Sequence, residues 1–421
     1  MCAVEVDRRT FIKGGVAALG LLMVGSEIVA LAAEDDEDAV QGPPIKLGLI
    51  GAGTWGRTLL SNAVKLPCIK VVSVCDTYAA YITKCKEIAP NVAACDDYRK
   101  MLDAKDIEAV IIATPSHQHK EIALAAIQAG KHVYCEAPLA HNAEDCRSIA
   151  NAAVGTKQVF QVGIQGRSNP LYKDIFKFVK SGVLGIPVQV HAHWNKKQSW
   201  RRAAPTPARE AELNWRLNKQ TSAGLISELG MHQLDIACWY LDALPVSATG
   251  FSSIQKWKDG RDVPDTVQSI LEFPKNVNAM LSMSLATSCG GSFTLIQGTS
   301  CSLMLRENRA WMVKEADSPI LGWEIYARKE PCNGDTGICL VADATKLVEE
   351  GKDPGKVGNV ILDHDPVYFA LRDFARSIRE QSKIACGITE GMQSTLVAIK
   401  ANESVLNGGK LVFDSSYLAP G

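Results

Sequence analysis

This chain lacks several features that would commit it to a structural or functional class. Its thirteen cysteines include no CxxC pair and no paired Cys/His spacing, so the pattern of a structural zinc site is missing and no metal site is expected. Charge of one sign is not in excess. A formal net charge of −1 over 421 residues offers no electrostatic footprint for nucleic acid or an anionic membrane surface. There are no internal repeats and no low-complexity tract beyond a short acidic run. No apolar stretch is long enough to span a bilayer comfortably, since the longest, Gly14 to Gly25, falls short of the ~20 residues required.

What is present is globular. With 47% hydrophobic and 22% charged residues the composition suits packed cores, and the length predicts two domains. The first 32 residues read differently. Asp7-Arg8-Arg9-Thr10-Phe11-Ile12-Lys13 precedes the apolar run, and Ala30-Leu31-Ala32 closes it. A charged region, a short apolar segment and a small-residue cleavage site are the parts of an export signal. The paired arginines before Phe11 resemble the twin-arginine type. The sequence therefore predicts a signal peptide over 1–32, an acidic tether over 33–44, and a mature protein without a membrane span in the periplasm or outside the cell.

The most informative stretch follows. The apolar run Lys46 to Ile50 ends in Gly51-Ala52-Gly53-Thr54-Trp55-Gly56 and passes into a helical pattern. In a dinucleotide-binding turn the first glycine makes the bend and the second lets the backbone approach a pyrophosphate. The third lets helix and strand pack closely, and the helix N-terminus faces the phosphates. A second apolar run, Ile69 to Cys75, ends in Asp76, 20 residues past Gly56, where a carboxylate accepts from the adenosine ribose. Its charge opposes a 2′-phosphate, so NAD is the expected cofactor.

Beyond it, Ala109 to Ala113 is a continuous apolar strand ending in Thr114-Pro115-Ser116-His117-Gln118-His119. The strand Lys131 to Cys135 ends in Glu136-Ala137-Pro138. Strands alternating with helices predict a doubly wound parallel sheet over 45–165, with ligands at the carboxyl ends of its strands. The expected cofactor-binding residues are Gly51, Gly53, Thr54, Trp55, Gly56, Asp76, Thr114, Pro115, His119, Glu136 and Pro138. From about Gly166 the pattern changes to strands in succession with few helices. It predicts a second, α+β domain with a mostly antiparallel open sheet over 166–410, then a tail over 411–421. The segment from about 307 to 358 has weak periodicity and yields no elements. Cys332 and Cys339 flank a Gly/Asp loop there, and both a disulfide and two free thiols stay open.

Together these residues resemble the Gfo/Idh/MocA family of glucose–fructose oxidoreductase and inositol dehydrogenase. The family pattern T-P-x-x-x-H is matched by Thr114, Pro115 and His119. G-K-H-V-x-x-E-K-P is matched by Gly130 to Pro138, with Ala137 in place of the lysine. The pattern D-x-x-x-H-x-x-D reads Glu228, His232 and Asp235, with glutamate for the first aspartate. The resemblance implies a Rossmann domain that binds NAD and a catalytic pair, His232 and Glu228. A histidine takes the proton from a hydroxyl as hydride leaves the same carbon, and Glu228, four residues earlier on one helix face, would orient its ring. Ala137 removes the family's usual cation.

The candidate substrate-binding side chains are Arg167, Trp194, Lys197 and Asp235. The loop from His193 to Arg202 and the later Asn214-Trp215-Arg216 offer aromatic faces and multiple donors that suit a sugar. The expected activity is oxidation of a secondary hydroxyl of a carbohydrate or polyol. Because free NAD is scarce outside the cytoplasm, a retained cofactor fits an exported enzyme. An NAD-dependent glycoside hydrolase and a non-catalytic carbohydrate-binding relative are the alternatives. A homo-oligomer through the C-terminal sheet is a further expectation.

Overall fold

The structure, a computed structural model, describes residues 40–307, 309–320, 324, 327–340, 364–414 and 416–419. The expected signal peptide lies outside the described residues. Six parallel strands form the first sheet: β1 Ile45–Ile50, β2 Ile69–Cys75, β3 Ala93–Cys95, β4 Ala109–Ile112, β5 His132–Glu136 and β6 Phe160–Gly163. Their order is β3-β2-β1-β4-β5-β6, the doubly wound arrangement. Because β1 and β4 are neighbours pointing the same way, the turns leaving them, at Gly51 and Thr114, lie side by side. β4 is buried at every position, as is β1 apart from Lys46, because helices cover both faces of a parallel sheet.

The connecting helices are α1 Thr54–Ala63, α2 Ala79–Ile88, α3 Tyr98–Asp103, α4 His119–Gln128 and α5 Ala143–Val154. Helix α5 begins with Asn142 accepting from the Asp145 N–H, the side-chain cap that an Asn provides for an otherwise unpaired donor.

The second sheet has ten strands in the order β14-β15-β13-β12-β11-β7-β10-β9-β8-β16. Strand β7 spans Pro187–Asn195, β8 Ser247–Ser253, β9 Thr266–Glu272, β10 Asn278–Ser284, β11 Ser292–Gly298 and β12 Cys301–Arg306. All neighbours are antiparallel except β7 and β10. Three strands fall where the sequence pattern yields no element: β13 Arg309–Lys314, β14 Lys329–Cys332 and β15 Asp335–Leu340. Of the three only β14 is an edge strand, but burial along all three runs in blocks instead of alternating residue by residue, so the period-2 signal of a half-buried strand is weak. The tail also contributes, since β16 Leu411–Val412 pairs with β8. Cys332 and Cys339 are both free thiols.

Helices α6 Pro170–Lys180, α7 Pro207–Leu213 and α8 Met231–Leu241 precede the later pair, α9 Pro366–Arg379 and α10 Ile388–Asn407. Although α9 lies within the expected second domain, its Val367, Leu371 and Phe374 pack with Leu47 and Leu49 of β1 and Tyr134 of β5. The chain thus returns to cover the nucleotide domain. The other face of the second sheet carries exposed apolar side chains, including Phe251, Ile270 and Met280. No described helix is long and apolar enough to cross a membrane.

Candidate active site

The nucleotide half of the site is built around Gly51 and Gly56. Gly51 has φ +97°, and a Cβ there would lie 2.6 Å from the Ala113 carbonyl carbon at the end of β4. A Cβ on Gly56 would meet the Gly51 carbonyl oxygen. Around Gly53 nothing lies within 4 Å of the same position, leaving the backbone open to a phosphate. No side chain caps the N-terminus of α1, so its first N–H groups are available to an anion. Thr54 and Trp55, on the first turn, are exposed.

Asp76 Oδ2 accepts from the Ala52 N–H at 2.7 Å and Oδ1 from the Tyr78 N–H at 2.8 Å. Burial pushes its carboxyl up; these two bonds, Arg209 and Arg57 act the other way. The carboxylate therefore shapes the glycine turn and also faces the ribose position. Arg57 donates to the Ala52 carbonyl at 2.7 Å. Arg209, from α7 of the second domain, lies 4.7 Å from the Tyr78 ring centroid. Two arginines thus flank Asp76. Asp76→Ala is expected to lower NAD affinity about 10- to 100-fold, the range for losing a hydrogen bond to a charged group. NADP binding should gain, because the charge opposing a 2′-phosphate is removed while Arg57 and Arg209 stay nearby. Titrating each nucleotide against the variant checks this; an unchanged NAD/NADP ratio refutes it.

At the ends of β4 and β5, the Thr114 hydroxyl and Glu136 Oε1 are buried without a hydrogen-bond partner among the described residues. Buried polar atoms are normally satisfied, so a pair of orphans beside the glycine turn fits a polar ligand such as the nicotinamide end of NAD. Burial pushes the Glu136 carboxyl up to about 8, opposed by Trp55 and the Ala137 N–H. Pro115 is half-buried in the same loop.

His119, expected to contact the cofactor, lies between the ends of β4 and β5. Its ring is buried, with Nδ1 3.0 Å from the Pro138 carbonyl and Nε2 3.0 Å from the Thr114 carbonyl. Burial holds its pKa down to about 4, so the ring is neutral and donates to one of the two oxygens. Both nitrogens are turned to backbone. His119 and Pro138 therefore tie the β4 and β5 loops together, and His119 has no nitrogen free for the cofactor.

The second domain brings Glu228 to this edge. A π-helical turn, Ile226–Gly230, precedes α8, a local widening common at functional sites. Gly230 permits it, since a Cβ there would sit 2.6 Å from the Met283 sulfur on β10. Glu228 is buried. Ser116 Oγ, just past β4, donates to its Oε1 at 3.0 Å, and the Ala223 N–H donates to the same oxygen at 3.4 Å. Arg216 Nε is 3.3 Å from Oε2. Burial raises the Glu228 carboxyl, with Arg216 and Ser116 opposing.

The expected Glu228–His232 hydrogen bond is absent among the described residues: Oε1 meets Ser116 across the domain interface, and Oε2 meets Arg216 within the second domain. His232 is half-buried and has no hydrogen bond among the described residues. Burial lowers its pKa, and Asp235 partly restores it. It is a neutral base with free nitrogens.

Asp235 and Arg167, both expected to bind substrate, pair with each other. Arg167 Nε lies 2.9 Å from Asp235 Oδ2 and its Nη2 2.9 Å from Oδ1; Ser394 Oγ donates to Oδ1 at 2.6 Å. Asp235 is fully buried, and a buried carboxylate requires such partners. Trp194 is half-buried on β7 against the core. Lys197 is exposed, its N–H held by Ser288 Oγ at 2.8 Å. Among the described residues, none of these four bonds to Glu228 or His232. Ser116 is absent from the sequence-derived set, and Arg216 enters it only as part of a sugar-facing segment. No local pattern marks a serine or arginine whose partner lies far along the chain.

Comparisons with known proteins give the family and the fold. Residues 45–164 match the model for the oxidoreductase family with an NAD-binding Rossmann fold, and 172–304 match the GFO/IDH/MocA C-terminal domain. Inositol 2-dehydrogenase of Salmonella typhimurium is 29% identical over 202 residues, 47% of this chain and 55% of that protein. Levoglucosan dehydrogenase of Pseudarthrobacter phenanthrenivorans is 29% identical over 204 residues, 46% of this chain and 50% of that one. The chain thus aligns with about half the length of these curated relatives. Among solved structures, levoglucosan dehydrogenase in complex with NADH and L-sorbose superposes with a TM-score of 0.72 at 19% identity, covering 87% of this chain and 98% of that one. At that identity the likeness speaks to fold.

Proposed function

The chain belongs to the Gfo/Idh/MocA family of NAD-binding oxidoreductases, and from that premise we propose that it oxidises a secondary hydroxyl of a sugar or polyol. One observation carries this reading most directly: the Ser116–Glu228 hydrogen bond across 112 residues. It supports the reading because it brings Glu228 of the second domain against the carboxyl end of β4, near the buried polar atoms of Thr114 and Glu136. When bound, the nicotinamide supplies the hydride acceptor. Gly51, Gly53 and the α1 N-terminus would hold the pyrophosphate, Asp76 the ribose, and Thr114 and Glu136 the nicotinamide end.

The chain's own residues do the proton chemistry. His232, kept neutral by burial, takes the hydroxyl proton. Its imidazolium form is supported by the Asp235 charge and not by Glu228. Glu228, fixed by Ser116 and Arg216, accepts from a neighbouring substrate hydroxyl and sets its position. Trp200, half-buried, supplies a face for the apolar C–H patches of a sugar. Relatives named for inositol and levoglucosan support this substrate class.

Export by the twin-arginine route, with the cofactor loaded before transport and retained, completes the reading. Self-association through the face bearing Phe251 and Ile270 belongs to it as well. The test is to purify the mature protein, measure its mass by light scattering, and release and identify its nucleotide before and after incubation with polyols. Bound NAD that is reduced as a ketone forms is the expected result. An empty monomer needing fresh NAD at each turnover refutes the retained-cofactor and oligomer parts. Aglycone release without a net change in bound NAD would refute simple dehydrogenation.

A further inference from the structure

Arg216 is the cation of the acid/base cluster. Among the described residues it alone, of all lysines and arginines, makes an ion pair with Glu228, through Nε at 3.3 Å from Oε2, and none pairs with His232. Ala137 at the end of β5 carries no charge, and the Lys197 side chain is exposed without a partner at this cluster. The guanidinium carbon of Arg216 lies 4.3 Å from the Trp215 ring centroid and 5.9 Å from that of Trp200. Aromatic faces at such distances attract and orient a guanidinium.

Trp200 reaches its place with φ +65°, a left-handed conformation that is unfavourable for a bulky residue. Strain of this kind persists where surrounding structure enforces it, commonly at functional sites. Meanwhile Nη1 and Nη2 of Arg216 have no hydrogen-bond partner among the described residues, and its side chain is 39% exposed. One edge of the guanidinium is committed to Glu228 and the other is open.

We infer that Arg216 is a positioning residue that holds Glu228 as a carboxylate and presents its free Nη edge to a substrate oxygen. The inference rests on the oxidoreductase reading above. Two charges of opposite sign then face the substrate with divided duties. A guanidinium offers donors and no acceptor, so Arg216 does not compete with His232 for the hydroxyl proton. Its field instead favours negative charge developing on oxygen as that proton leaves. Glu228, kept ionised, accepts from an adjacent hydroxyl. A substrate carrying two neighbouring oxygens, one for each group, fits this arrangement, as in a vicinal diol.

The test uses the full chain with Arg216→Met and Arg216→Lys. The carboxylate band of Glu228 is identified by infrared difference against Glu228→Gln and followed with pH. In Arg216→Met it should titrate at higher pH than in the wild type, with NAD affinity unchanged. Turnover on a vicinal polyol should fall about 10²- to 10³-fold, as when a transition-state donor is removed. The loss should be partly reversed by added guanidinium chloride at non-denaturing concentration. Arg216→Lys should retain the carboxylate titration but recover little turnover, since an ammonium lacks the two-sided fork.

An unchanged Glu228 titration in Arg216→Met overturns the inference whether or not the protein oxidises polyols. A shifted titration without loss of turnover overturns its substrate-facing half. Wild-type protein inert toward every polyol, yet showing the shift, would sink the proposed function while leaving the Arg216–Glu228 pairing intact.

Discussion

Replacing His232 with alanine is expected to lower turnover about 10²- to 10⁴-fold, the usual contribution of a positioned acid/base, and to leave NAD affinity unchanged. The separation follows from the fold. The groups proposed to hold the pyrophosphate and ribose lie at the end of β1, on α1 and at the end of β2. His232 sits on the first turn of α8 in the second domain and makes no hydrogen bond that the substitution would break. The pH dependence carries a second signature. The active form for hydroxyl oxidation is the neutral imidazole, and burial lowers its pKa while Asp235 opposes. Activity should therefore persist on acidification past the ordinary histidine value near 6.5 and be lost only as pH falls through the lowered value. Single-turnover reduction of bound NAD, followed against pH in wild type and His232→Ala, measures both effects. Wild-type turnover in the variant would remove His232 from the mechanism.

The largest effect on stability is expected at Asp235. Asp235→Ala leaves Arg167 charged, largely buried (13% side-chain exposure) and without its carboxylate. Breaking a buried pair in this way costs about 3–5 kcal/mol. The loss reaches three segments at once, because Asp235 on α8 also accepts from Ser394 on α10 and from the Arg167 turn before α6. Replacing both partners with apolar residues of similar size, Arg167→Met with Asp235→Leu, should recover much of the loss, since no buried charge is then unpaired. Denaturant unfolding of the three proteins decides. If Asp235→Ala matches the wild type, the pair does not hold the domain, and a substrate-facing role for Asp235 reopens.

These expectations come from different levels of organisation. The nucleotide turn is local: Gly51, Gly53 and Gly56 lie within six residues, and the strand before and helix after them are periodic enough to read directly. Asp76 is legible because β2 runs parallel beside β1, and that geometry sets its distance from the turn. Alternating strands and helices imply the first sheet, and successive strands the second. His232 and Glu228 stand out as candidate acid/base residues through motif resemblance.

Partner choice was decided only by the tertiary structure. Spacing of four residues suggests that Glu228 supports His232, yet the π turn and the domain interface hand its oxygens to Ser116, Ala223 and Arg216. Asp235 and Arg167 are 68 residues apart, and nothing near either in the chain announces that they neutralise each other in the interior. His119 is part of a motif, but only folding shows both its nitrogens turned to backbone. Strands β13 to β15 and the docking of α9 on the nucleotide domain are likewise products of long-range packing. The physical reason is common to all of them. Backbone turns and amphipathic periods are encoded in neighbouring residues, whereas a buried polar group takes whichever partner the packed chain brings within about 3 Å, however distant in sequence.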